Sequence, residues 1–353
     1  MLDSILSHYL IPGTLVKAER FGSGLINETF LCEFDDDGTV RKYILQHINK
    51  SVFKRPELVM ENVAAVTEHL QARLRQEGVV DPASVTPALV PTRDGRSHHI
   101  DGAGEYWRMF HFIETGEVFD IVRDAGHAHE VGRGLGRFQA LVADLAPGRL
   151  HDTLPGFHHT PRYLGELDEA VRLDPLGRLA GAQAEVAFAH QRRHLAPILT
   201  DLMEAGRIPI RVVHNDPKVN NVLIDRKTGK ALCMLDLDTV MPGIVHFDFG
   251  DCVRSAANPA GEDARELDSV AFDRARYDAL REGYLSEASS FLVQQEIDLL
   301  PVSVKVITLE LGIRFLSDHL SGDRYFQTRY SGHNLHRARV QFRLLERMEQ
   351  AGL

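Results

Sequence analysis

Cysteine is scarce: Cys32, Cys233 and Cys252 are the only three in 353 residues. They are odd in number, widely separated and set among apolar neighbours, so buried reduced thiols are expected rather than a disulfide or a zinc site. Long apolar runs are missing as well, and with them any stretch able to cross a bilayer as a helix. The opening Met1-Leu2-Asp3-Ser4 has neither the basic start nor the apolar core of a signal peptide, so a cytoplasmic location is the expectation. Clusters of Lys and Arg are also absent. The chain carries 40 basic and 50 acidic residues, a formal charge of -10, and this balance argues against nucleic acid as a partner. No internal repeat or low-complexity tract interrupts the sequence.

Histidine, by contrast, is plentiful, at eighteen. The pairs His98-His99, His158-His159 and His127-x-His129 nevertheless lack metal-ligand spacing, because adjacent side chains point apart and neither an i,i+4 partner nor a cysteine accompanies them.

Residues 14–49 alternate β-rich runs (Thr14 to Phe21, Glu28 to Phe34, Val40 to Ile48) with glycine-bearing turns, the pattern of an antiparallel meander. Asp35-Asp36-Asp37-Gly38 reads as a hairpin tip. The turn from Gly22 to Asn27 is different in kind, since glycines flanking Ser23 let backbone N–H groups approach phosphate oxygens with no Cβ in the way. An amphipathic helix is expected from Pro56 to about Arg75, and a last strand from Tyr106 to Ile113. Beyond Glu114-Thr115-Gly116 the periodicity becomes helical: Ala128 to Leu145, Pro161 to Leu173, Ala182 to Ala205, Phe272 to Leu285, Val304 to Leu320, and Leu335 to Glu349. A nucleotide-binding unit over 1–113 and a catalytic and substrate-binding unit over 114–353 follow as the expected division.

The chemistry is concentrated in His214-Asn215-Asp216-Pro217-Lys218-Val219-Asn220-Asn221 and in Leu235-Asp236-Leu237-Asp238. Phosphoryl transfer from ATP needs an Asp to accept the hydroxyl proton and an Asn five positions later to hold magnesium, and Asp216 and Asn221 have that separation. Lys218 is placed to neutralise charge on the moving phosphoryl group. The apolar run Ala231 to Leu235 reads as a short buried strand after a Lys227-Thr228-Gly229-Lys230 turn. It would deliver Asp236 into a cleft with Asp238 facing the same way, both as magnesium ligands.

These residues resemble the aminoglycoside phosphotransferase branch of the protein-kinase-like fold, which also holds choline, homoserine and sugar kinases. Further motifs carry the likeness: Tyr43-Ile44-Leu45-Gln46, the Pro56 to Asn62 helix start, Tyr106-Trp107-Arg108-Met109, Leu154-Pro155-Gly156-Phe157-His158, the run from Asp236 to Gly243, and Asp248-Phe249-Gly250-Asp251. Within the branch they are most similar to the bacterial N-acetylhexosamine 1-kinases. The resemblance implies an α+β, bilobal fold with a small antiparallel-sheet N-lobe and a larger, mainly helical C-lobe. It implies magnesium-dependent use of ATP to phosphorylate the anomeric hydroxyl of N-acetylglucosamine or N-acetylgalactosamine, a small-molecule sugar partner, and a monomer or weak dimer. By the same analogy Asp216 is the base, Asn221 and Asp236 hold the metal, and Gly22, Ser23, Gly24 and Asn27 cover the phosphates. The backbone from His111 to Ile113 meets the adenine, Arg314 and Tyr325 contact the sugar, and Asp248 fixes the catalytic loop.

One position departs from the protein-kinase pattern. Gln46 stands where the third strand usually carries a phosphate-binding Lys, leaving Glu61 in the next helix without its expected cation. The sugar kinases of this branch share that Gln. An aminoglycoside, choline or homoserine kinase, or a non-catalytic nucleotide-binding module, remain alternatives at the level of sequence.

Overall fold

The computed structural model describes residues 2–22 and 26–353. Strands β1 (Thr14–Arg20), β2 (Glu28–Asp36), β3 (Thr39–His47), β4 (His99–Ile100) and β5 (Tyr106–His111) form one antiparallel sheet in the order β1-β2-β3-β5-β4. Alternation divides its faces. Cys32 and Phe34, Tyr43 and Leu45, and Trp107 and Met109 share one face, closed by Ile5 and Leu6 of helix α1 (Leu2–Leu6). One residue out of phase, Gln46 and Arg108 stand opposite each other in the β3–β5 register. Arg108 points toward Met60 of helix α2 (Pro56–Gln76), whose Val59, Met60, Val63 and Val66 are fully buried.

The rest of the chain is mainly helical: α3 (Ala125–Leu141), α4 (Thr160–Leu173), α5 (Gln183–Gln191), α6 (Pro197–Glu204), α7 (Val245–Ala256), α8 (Arg274–Ala288), α9 (Gln294–Ser321) and α10 (His333–Gln350). Two small antiparallel ladders are set among these helices. One joins β6 (Gly116–Glu117), β8 (Val222–Asp225) and β9 (Ala231–Met234), and the other joins β7 (Arg211–Val213) and β10 (Met241–Gly243). The architecture is the α+β one expected, with an antiparallel sheet before a helical part. No helix among the described residues is long and apolar enough to cross a membrane.

Several elements differ from the sequence expectation. The helix expected over 182–205 is two, broken around Arg193–Leu195 ahead of Pro197, which cannot donate an N–H to the turn before it. The helix expected from Val304 begins ten residues earlier and carries Pro301 inside its first two turns. Helix α7 was not anticipated at all: from Val245 to Val253 every residue is buried, so no polar face marks the helical period. The last strand stops at His111, short of Ile113.

Helices α3 and α8 approach unusually closely, and glycine is the reason. A Cβ at Gly132 would lie 2.0 Å from the Leu280 carbonyl oxygen, and one at Gly283 would lie 2.0 Å from that of His129. The close crossing lets Tyr284 of α8 donate its hydroxyl to Gln139 of α3 at 2.6 Å, while the Gln139 amide donates to Asp248 of α7 at 2.7 Å. This buried relay ends at the loop described next.

Candidate active site

Residues 214–221 connect β7 to β8, and residues 235–240 connect β9 to β10, so the two ladders bring the two motifs side by side. Side chains then sew them together. The Asp248 carboxylate, with no solvent exposure, accepts the backbone N–H of His214 at 2.8 Å and of Asn215 at 2.7 Å. His214 Nε2 lies 2.7 Å from the Leu235 carbonyl, and its Nδ1 accepts the N–H of Asp216 at 3.3 Å, which fixes the tautomer as Nε2–H. Thr239 donates to the His214 carbonyl at 2.7 Å and Asn215 Nδ2 to the Thr239 carbonyl at 3.0 Å. Asn215 and Asp236 both adopt left-handed backbone, at φ 65° and 56°, which Asn and Asp tolerate better than most residues.

Asp216 emerges from this frame with its side chain partly accessible. Lys218 Nζ lies 3.0 Å from its Oδ2. Asn221 Nδ2 donates to the Asp216 carbonyl at 2.7 Å and reaches Oδ2 at 3.2 Å, leaving the Asn221 amide oxygen directed elsewhere. Burial alone would lower the Lys218 pKa, but the charges of Asp216, Asp236 and Glu262 outweigh it and hold the ammonium protonated. Asp236 keeps accessible surface on a floor crowded by protein. That crowding, with the charges of Asp238 and Asp216, raises its carboxyl to about 7 against the opposing pull of Lys218 and Arg108.

Asp238 is buried where Asp236 is exposed, so the two do not open onto the cleft together as expected. The left-handed turn at Asp236 and the 3-10 turn over Leu237–Thr239 break the strand alternation on which that expectation rested. Its carboxylate is instead buried, ion-paired to Arg108 and accepting Asn27 Nδ2 at 2.6 Å. Arg108 is about 1% exposed, and its Nε donates to Gln46 Oε1 at 2.9 Å. Thus the strand position that lacks a Lys does have a cation beside it, supplied by the neighbouring strand. Sequence reasoning missed Arg108 because its partners are 62 and 130 residues distant; the one local signal was a charge among the apolar residues of β5. Glu61 turns outward to His151 at 2.7 Å, while Asn62 carries the inward contact, donating to the Val240 carbonyl at 3.0 Å.

Of the other expected site residues, Gly22 is exposed at φ 77°, and Ser23 and Gly24 lie outside the described residues. Asn27 points inward, its Oδ1 accepting the Asn49 N–H at 3.0 Å. The backbone N–H of His111 is engaged by Ala88 O at 2.9 Å, whereas that of Ile113 has no acceptor among the described residues. Ile113 closes a small apolar cluster with Leu223 and Cys233.

Arg314 and Tyr325 do come together. The Arg314 guanidinium lies 5.0 Å from the ring centroids of Phe157 and Tyr163, 5.5 Å from Phe326 and 5.7 Å from Tyr325. Among the described residues it has no hydrogen-bond acceptor and no carboxylate partner. Asp318, one turn further along α9, shapes the far wall. Its carboxylate accepts the backbone N–H groups of Arg324, Tyr325 and Phe326 at 2.8, 2.9 and 2.9 Å and the Asn334 amide at 3.0 Å.

Similarity to known proteins agrees with this arrangement. The chain resembles, at 14% identity and a TM-score of 0.55, the crystal structure of an aminoglycoside phosphotransferase from Alicyclobacillus acidocaldarius, over 99% of this chain and 95% of that one. Spectinomycin phosphotransferase in complex with ADP and spectinomycin superposes at 0.58 with 11% identity over 99% and 97%. Choline kinase from Cryptosporidium parvum superposes at 0.57 with 14% identity over 95% and 89%. Such likeness establishes the fold. The sequence model of the phosphotransferase enzyme family matches residues 17–282, more than half of the chain, and the protein belongs to that family.

Proposed function

We propose that the protein transfers the γ-phosphoryl group of ATP, with magnesium, to the anomeric hydroxyl of an N-acetylhexosamine. The observation that carries the acceptor class is Arg314. Binding pockets must complement their ligand's charge: a polycationic aminoglycoside wants carboxylates, and choline wants an aromatic cage with no resident cation. Here the cage already holds a guanidinium, and its unused donors suit the oxygens of a neutral acetamido sugar, with Tyr325 offering a ring face and a polar tip.

In this reading Asp216 accepts the proton of the attacking hydroxyl and orients it in line with the phosphorus, while Lys218 neutralises charge on the transferring group. Asn221 and Asp236 suit a magnesium ion. Asp236 is an under-compensated carboxyl that a divalent cation would relieve, and the Asn221 amide oxygen is free to ligate. When bound, such an ion would neutralise charge on the nucleotide phosphates. Asp238 we assign to anchoring, since Arg108 and Asn27 occupy it. The free N–H of Ile113 and the apolar floor beneath it suit adenine. Residues 1–113 then form the nucleotide lobe and 114–353 the lobe that carries the chemistry.

The test is magnesium-dependent ADP release across N-acetylglucosamine, N-acetylgalactosamine, galactose, choline, homoserine and an aminoglycoside, with phosphorus NMR of the product. An anomeric phosphate on an N-acetylhexosamine is expected. Turnover only with a cationic acceptor would remove the sugar assignment and keep the phosphotransferase.

A further inference from the structure

The rings of Phe157 and His158 lie side by side, with centroids 4.3 Å apart, and each makes a different further contact. The Phe157 ring lies against Arg314 in the aromatic wall, and the next side chain turns to the catalytic loop. His158 adopts a left-handed backbone at φ 58°, uncommon for a residue other than glycine and a sign that the surroundings impose it. Its ring is buried and stacks on Phe247 of α7 at 4.9 Å. Both ring nitrogens meet acceptors. Nδ1 lies 2.8 Å from Glu310 Oε1, and Nε2 lies 3.3 Å from the carbonyl oxygen of Asn215. A neutral imidazole has one N–H to donate, so satisfying a carboxylate and a carbonyl together takes both protons of the imidazolium. The other Glu310 oxygen accepts the Thr160 hydroxyl at 2.7 Å, which leaves that carboxyl wholly an acceptor.

The Asn215 carbonyl belongs to the peptide bond that leads into Asp216. Asp248 already holds the N–H of Asn215 from one side. We infer that His158, an imidazolium clamped between the Glu310 carboxylate and the Asn215 carbonyl, is a positioning residue that sets the orientation of Asp216 and links it to the acceptor wall. This rests on the proposed role of Asp216 as the base. The charged groups facing His158 are Glu310 and Arg314 from α9 and Asp251 from α7. Burial alone would lower the imidazole pKa, but the charge and hydrogen bond of Glu310, helped by Asp251 and opposed by Arg314, raise it above the usual histidine value; Glu310 is correspondingly lowered. A group raised in this way is fully charged at and below its ordinary range near 6.5, and the clamp is released only as pH climbs through the raised value.

Imidazole 15N spectra of the ligand-free, histidine-labelled protein from pH 6 to 9 test the charge state without any acceptor. Both His158 nitrogens are expected to remain protonated at pH 7.5, where ordinary histidines are neutral, and to lose one proton at that pH in E310Q. His158→Asn, which tolerates the left-handed backbone, assigns the resonance; should it fail to fold, the shift in E310Q assigns it instead. With N-acetylglucosamine as acceptor, His158→Asn and E310Q should lower kcat about 10- to 100-fold, the cost of a misplaced catalytic group, with KM for ATP within about twofold. The wild-type kcat should fall at alkaline pH, with that limb moved to lower pH in E310Q. A neutral His158 at pH 7.5 in the wild type, or an unchanged kcat in folded His158→Asn, would overturn the inference. Full activity in Asp216→Asn would instead remove the assignment of the base while leaving the protonation result standing.

Discussion

Arg108 is buried and Arg314 half-buried, and they are handled in opposite ways. Arg108 is matched: a carboxylate takes its charge, a glutamine amide takes another donor, and water is excluded. Arg314 is caged by four rings and left without an acceptor. Its donors, half-buried and meeting no acceptor among the described residues, suit a ligand that supplies the missing oxygens. The contrast separates architecture from recognition inside one protein, where residue type alone would have grouped the two arginines together.

The largest effect expected is on the matched arginine. Arg108→Leu strands the Asp238 carboxylate in the interior and should cost about 3–5 kcal/mol of stability by denaturant unfolding, with Asp238→Leu added to it restoring much of the loss. If the single change were silent, Arg108 would not be an anchor. Arg314→Met should do the reverse, lowering kcat/KM for the acceptor about 10- to 100-fold, as expected for lost charged hydrogen bonds of about 1.5–3 kcal/mol, while the melting temperature changes little. A collapse in stability there would erase the contrast. Asp318→Asn probes how the cage is held, because it replaces one of the two oxygens that collect the three backbone N–H groups by an amide donor. A loss of about 1–3 kcal/mol and a raised acceptor KM are expected. The smallest effect concerns another buried arginine, Arg254, matched at 2.7 Å by Asp251 and at 2.8 Å by Glu262. Burial alone would raise the Asp251 carboxyl, but Arg254 and its hydrogen bond bring it below the ordinary value of 3.8. Its contribution to stability is therefore complete above that ordinary value and is lost as pH falls through the lowered one. Melting curves of wild type and Asp251→Asn should converge only in acid.

What the sequence disclosed follows how locally each feature is encoded. Asp216, Lys218 and Asn221 lie on one loop, so their spacing is also their geometry. The sheet was legible because its strands have one apolar face each. The pairing of Arg108 with Asp238 was not, since it depends on which strand neighbours β3 and on a left-handed turn at Asp236 that interrupts the strand alternation. Helix α7 was hidden by its own burial. His158 was visible as half of an adjacent histidine pair and as the end of the Leu154 to His158 motif, with no role attached, and Glu310 as one charge in a long helix; their contact joins residues 152 positions apart.

The glycine crossing of α3 and α8 acts as a gauge for a reaction centre it never touches. Any side chain at Gly132 or Gly283 would wedge the two helices apart, drawing Tyr284 away from Gln139 and slackening the hold of Gln139 on Asp248. The symptom would be slower turnover in a protein whose cleft residues are all intact. A search for the cause confined to that cleft would not find it.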